Sequence, residues 1–158
     1  MAAFMHRLAA NKVVDAATAL DADKLDGIDS DAFLPNGTPP VGTTARGNYG
    51  LGGGSDSWDW TDISWGFEMP STPEVHWLPQ GSASTADCPG TPANPQAAEG
   101  HLCVYEKGML NVGFRDIVSG GTNDPDTADV FGAILHAQQA TSSEWTSHGT
   151  WAITVGTP

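Results

Sequence analysis

Ile63-Ser-Trp-Gly-Phe-Glu-Met69 places a large apolar side chain at every second position, with Ser64, Gly66 and Glu68 between them. Successive side chains of an extended chain point to opposite faces, so a period of two describes a strand with one dry and one wet face. The same alternation recurs downstream. Val75 and Trp77, then Leu102 and Val104, then Leu110, Val112 and Phe114, and finally Trp151, Ile153 and Val155 keep it. Val130–Gln138 is mostly apolar and reads as a further strand. Six or seven short strands joined by turns predict an all-β head, a jelly roll or β-sandwich, over residues 55–158.

The composition agrees. The 158 residues include 19 Gly and 11 Pro, which leave little room for long helices beyond the N-terminus. Charged residues make up only 16%, and the net charge is −13. Residues 47–158 carry Lys107 and Arg115 as their only Lys or Arg against thirteen acids. Nucleic-acid backbones and anionic membranes both call for clustered Lys and Arg, so neither partner is expected. No secretory signal or membrane-length apolar run is visible, which predicts synthesis in a cytoplasm and exit by a route such as phage assembly and lysis.

Upstream of the head the pattern changes. Residues 5–20 are Ala-rich, with Leu8, Val13, Val14, Ala17 and Leu20 at helical spacing, and predict a short helical arm too short to be stable alone. Ala22-Asp-Lys-Leu-Asp-Gly-Ile-Asp-Ser-Asp-Ala-Phe-Leu34 follows. Its Leu25, Ile28, Phe33 and Leu34 are too many for so short a segment to cover, so identical chains are expected to cover them at a trimer seam or docking plug. Residues 1–46 are therefore read as an arm and docking segment. Residues 47–54, with Gly50-Leu-Gly-Gly-Gly-Ser-Asp56 across their end, are read as a Gly-rich linker.

Few motifs point to chemistry. Asp21, Asp23, Asp26, Asp29 and Asp31 do not keep the spacing of a calcium-binding EF-hand loop, and Asn123-Asp-Pro-Asp-Thr-Ala-Asp129 lacks its turn glycine. The five histidines show no close ligand pair in sequence, so no metal and no cofactor are expected; His136 reads as a satisfied core or interface residue. No nucleophile elbow or phosphate loop is present, and no enzyme activity is expected. Cys88 and Cys103 bracket a Pro- and Gly-rich loop and are read as a disulfide rather than as free buried thiols. Such a bond closes a loop of about 15 residues, worth on the order of 3 kcal/mol.

Ser57-Trp-Asp-Trp-Thr-Asp62 is the densest aromatic cluster in a chain with six Trp. Trp58 and Trp60 share a strand face, with Asp56, Asp59 and Asp62 nearby. Indole faces beside carboxylates suit a sugar, whose C–H face stacks while its hydroxyls donate. The competing role, anchoring the core or a subunit interface, is the commoner use of Trp in such a chain.

Two stretches carry a resemblance. Ala22–Leu34 resembles the "ADxLDGxDSxxFL" segments of actinobacterial surface proteins and of phage tail-fibre and minor tail proteins. Asp87-Cys-Pro-Gly-Thr-Pro, Gln96-Ala-Ala-Glu-Gly-His-Leu-Cys-Val-Tyr105 and Gly149-Thr-Trp-Ala-Ile-Thr-Val155 are similar to the C-terminal domain that often follows those segments. The resemblance implies a trimeric fibre element ending in a small β-domain, and it supports the Cys88–Cys103 bond. It transfers no catalytic residue. One such segment instead of several, without signal or anchor, favours a phage protein over a cell-wall one. The expectation is a homotrimeric virion protein, exposed on the particle, contacting other capsid or tail proteins and attaching to host-surface glycan. Capsid decoration is the structural alternative, and a cell-surface adhesin or polysaccharide hydrolase the remaining one.

Overall fold

The computed structural model describes Lys24–Leu25, Ile28–Asp29 and residues 38–158 other than 56 and 57. The chain divides into two units, Met1–Gly37 and Thr38–Pro158. In the first, the two-residue strands β1 (Lys24–Leu25) and β2 (Ile28–Asp29) pair antiparallel, with Leu25 opposite Ile28. The expected helix over residues 5–20 lies outside the described residues, as do Phe33, Leu34 and the side chains of Leu25 and Ile28.

The second unit is all-β. Its strands are β3 (Thr44–Gly53), β4 (Trp58–Ser64), β5 (Glu74–Leu78), β6 (His101–Leu110), β7 (Val112–Val118), β8 (Gly132–Gln139) and β9 (Trp145–Thr154). They form two sheets, ordered β3-β9-β6-β5 and β4-β8-β7. Every pairing is antiparallel except β5 with β6. One dry core joins the sheets: Tyr49, Leu51, Leu102, Val104, Trp145, Trp151 and Ile153 from the first meet Ile63, Val112, Ile117, Ala133, Leu135 and Ala137 from the second. Odd-numbered residues of β9 supply that face, as strand alternation requires.

Three expectations are corrected. Residues 47–54 are not a linker, because most of them lie in β3, which pairs with β9 along ten residues from Thr44↔Thr154 to Gly53↔Trp145. Glycine here makes room. A Cβ on Gly47 would lie 2.5 Å from the Trp151 ring, so the indole lies across bare backbone.

The stretch 63–69 is not one strand either. β4 ends at Ser64, and Gly66 turns the chain with φ +77°. Trp65 and Met69 are buried all the same, held by bonds from Trp65 Nε1 (2.9 Å) and Met69 N (2.7 Å) to the Val130 carbonyl.

Leu110 and Phe114 do not continue one strand through Val112. The chain leaves one sheet at Leu110 and enters the other at Val112. Asn111 makes the corner with φ +51°, a left-handed conformation that Asn tolerates better than most residues. Its Oδ1 accepts from Thr141 N at 3.1 Å, and its Nδ2 donates to the Thr141 carbonyl at 2.9 Å.

The outer face of the four-stranded sheet is covered by residues 79–100, the connection between the parallel strands. The Cys88–Cys103 disulfide ties this connection to β6, beside a small cluster of Leu78, Tyr105 and Ala97. Tyr105 Oη donates to the Gln96 carbonyl and accepts from Gly90 N at 3.0 Å. Thr150 and Thr154 of β9 donate to the carbonyls of Pro92 (3.0 Å) and Ala97 (2.8 Å).

Candidate functional site

The three-stranded sheet presents the aromatic surface. Trp58 and Trp60, two apart on β4, both point away from the core and are 52% and 48% exposed. Trp60 pairs with His136 across to β8, and Trp58 with Gln138. The His136 ring lies parallel to Trp60 at 3.8 Å and close to parallel with Trp58 at 4.5 Å. Phe114, opposite Gln138 on β7, meets Trp58 edge-on at 5.9 Å. The four rings make one continuous strip across three strands.

His136 is the keystone of that strip, only 6% exposed, and Nε2 has no hydrogen-bond partner among the described residues. Of the core and interface roles expected for it, the satisfied core one does not hold at Nε2. Burial lowers its pKa below the ordinary imidazole value, and the Asp116 carboxylate opposite it on β7 pulls the other way. A proton on Nε2 would be left without an acceptor, so desolvation prevails and the ring is held neutral, flat between two indoles.

Polar groups border the rings. Gln138 and Asp116 stand on the same face of the sheet, and Asp116 Oδ1 accepts from Asp126 N at 3.2 Å. Asp62 lies two residues beyond Trp60, opposite Ile134. There the strip runs into a cleft of about 260 Å³ lined by Asp62, Ile134 and the exposed Phe131.

Of the residues singled out in the sequence, Trp58 and Trp60 come together as expected, exposed rather than in the core of the chain. Asp59 does not join them. It faces the other side of β4, and its Oδ2 accepts from Gly52 N at 2.9 Å, joining β3 to β4. Asp56 lies outside the described residues. Cys88 and Cys103 form the disulfide. Sequence reasoning missed Phe114, Asp116 and Gln138, and the stacking role of His136; alternation puts Phe114 on the face of Val112, and the register shift between those two residues turns it outward.

A second group is made by the parallel pairing of β5 with β6. Glu74 sits opposite His101, and His76 opposite Cys103, so a carboxylate and two imidazoles far apart in sequence share one surface. The strand pairing thus supplies the close ligand pair that sequence spacing lacks.

Comparison with family models, with curated proteins and with solved structures finds no match to the chain.

Proposed function

We propose that the head, residues 38–158, is a non-enzymatic binding module and that its Trp58–His136–Trp60 strip grips the C–H face of a host-surface glycan. The chain as a whole is read as a homotrimeric phage virion protein, held to its particle through the part of residues 1–46 that precedes the head. The observation that carries the binding role is the pair of half-exposed indoles locked flat against a buried imidazole. Exposed Trp on a soluble sheet loses solvation benefit unless something covers it, and a sugar ring has the matching shape and polarity. Gln138, Asp116 and Asp62 stand where hydroxyls would donate. The acidic surface, −13 for the chain, argues against anionic polymers as the ligand and leaves neutral or cationic sugars. The virion and trimer reading rests on the Ala22–Leu34 segment and its resemblance.

A glycan array with the full chain tests the binding role. Neutral or amino sugars should bind, and Trp58→Ala and Trp60→Ala should each lower affinity at least tenfold with the fold intact. No binding to any glycan, or binding indifferent to both substitutions, removes the adhesive role. Electron microscopy of the parent particle then separates attachment, with copies at tail or fibre tips, from decoration, with copies on the capsid lattice.

A further inference from the structure

The edge of the four-stranded sheet opposite β3 carries a group that the aromatic strip does not use. Glu74 begins β5, its amide held to the Gly100 carbonyl at 2.9 Å. Parallel pairing puts its side chain beside His101, and His76, two residues on along the same strand, is diagonal to His101. His76 Nε2 and His101 Nδ1 face each other at 2.9 Å, and the two Glu74 oxygens lie 3.9 Å from them, one each. One donor atom from each of the three residues falls within a sphere of mutual distances under 4.8 Å.

We propose that Glu74, His76 and His101 form a binding site for a divalent transition metal, with zinc the best match. Two imidazoles and a carboxylate are borderline donors that suit zinc and select against calcium and magnesium. Tetrahedral zinc, with nitrogen ligands at about 2.0–2.1 Å, spaces its ligand atoms about 3.3 Å apart. The present separations bracket that value. Glu74, whose side chain is 70% exposed, can close the longer two by rotating.

A fourth group points to the same assignment. Asp87 Oδ1 lies 3.8 Å from Nε2 of His101, the nitrogen that faces away from His76. A carboxylate behind a metal-bound imidazole fixes the tautomer, keeping the proton on Nε2 and the lone pair on Nδ1. Asp87 is itself anchored, its carbonyl accepting from Ala98 N at 2.8 Å and its neighbour Cys88 bonded to β6. With no ion, a single proton shared between His76 Nε2 and His101 Nδ1 satisfies both nitrogens. Zinc takes that proton's place, and the proton passes to Nδ1 of His76, so that both facing nitrogens present lone pairs. Three protein ligands, the exposed Glu74 among them, leave one coordination position for water or an oxygen donor from outside the chain.

The test is calorimetric titration of the tag-free full chain with zinc. One equivalent per chain should bind. His76→Ala and His101→Ala should each weaken binding at least tenfold, and Asp87→Asn by about 10–100-fold, the usual effect of losing an outer carboxylate. His148→Ala, on a neighbouring strand, should leave it unchanged. Nitrogen-resolved NMR of the unsubstituted protein guards against misfolded variants: zinc should move His76 Nε2 and His101 Nδ1 and leave the His136 and His148 rings in place. Absence of binding, binding retained in the His76→Ala/His101→Ala double variant, or zinc shifts confined to other histidines would each overturn the assignment.

Discussion

Arg115 on β7 grips Glu106 on β6 through two parallel hydrogen bonds, Nε to Oε1 at 3.0 Å and Nη2 to Oε2 at 2.9 Å, and so ties one sheet to the other. Glu106 is 1% exposed, and its remaining acceptor capacity is filled: Ser147 Oγ donates at 2.7 Å and Gln80 N at 3.1 Å. A buried carboxylate so surrounded has no orphaned lone pairs.

Removing only one member of that pair leaves an uncompensated charge inside. Arg115→Met should cost about 3–5 kcal/mol. The Glu106→Gln/Arg115→Met double variant should lose less than the two single losses added together. Urea denaturation of all four proteins gives the coupling; strict additivity would show that the pair is solvated in practice.

Gly47 predicts a steric effect in a place that composition alone marks as loose. Gly47→Val pushes a side chain into the Trp151 ring and should destabilise the head by about 1–3 kcal/mol, the usual cost of overpacking. Gly50→Val, whose added carbon meets nothing within 4 Å, should cost far less. Thermal melts compare them directly.

Cys88→Ser/Cys103→Ser should lose about 3 kcal/mol, the loop-closure contribution of a bond spanning 15 residues. Because the bond restrains residues 79–100 on one sheet and the rings lie on the other, glycan binding at the folded temperature should be unchanged. A loss of glycan binding in the folded variant would place the adhesive surface elsewhere.

The lowered pKa of His136 gives a pH dependence with a definite sign. Above the unfolded value of about 6.5 both states are neutral at this ring and its contribution is fully present. As pH falls from there through the lower folded value, the unfolded chain takes up the proton more readily, and stability is lost. Denaturation midpoints at pH 7.5 and 5.5 should therefore fall further in the natural protein than in His136→Phe. Equal falls would remove His136 as a source of the effect.

What the sequence reveals and hides follows from the range of the forces involved. Strands whose apolar residues alternate in an unbroken run, such as 101–104 and 151–155, are legible because their burial pattern is local. β3 was hidden because its dry side consists partly of absent side chains: Gly47 serves the core by leaving space for an indole supplied a hundred residues later. Alternation also misleads where the chain changes partners. Leu110, Val112 and Phe114 keep the period across the Asn111 corner, but the sheet around them changes. At the aromatic strip the sequence exposed the Trp58–Trp60 pair and concealed His136 and Phe114, which arrive from other strands. Glu74, His76 and His101 were invisible as a group because only the parallel pairing of β5 with β6 makes them neighbours.

Among the described strands of the head, the last in chain order is an inner one. β9 lies between β3 and β6 and brings Trp145, Trp151 and Ile153 into the core. A nascent head emerging from the ribosome therefore holds two strands that should flank a third, with no central partner until β9 follows them out. Contacts of such long sequence separation form slowly. A chain terminated before residue 145 would leave both flanking edges open to strands of other molecules, and aggregation rather than partial folding is its expected fate.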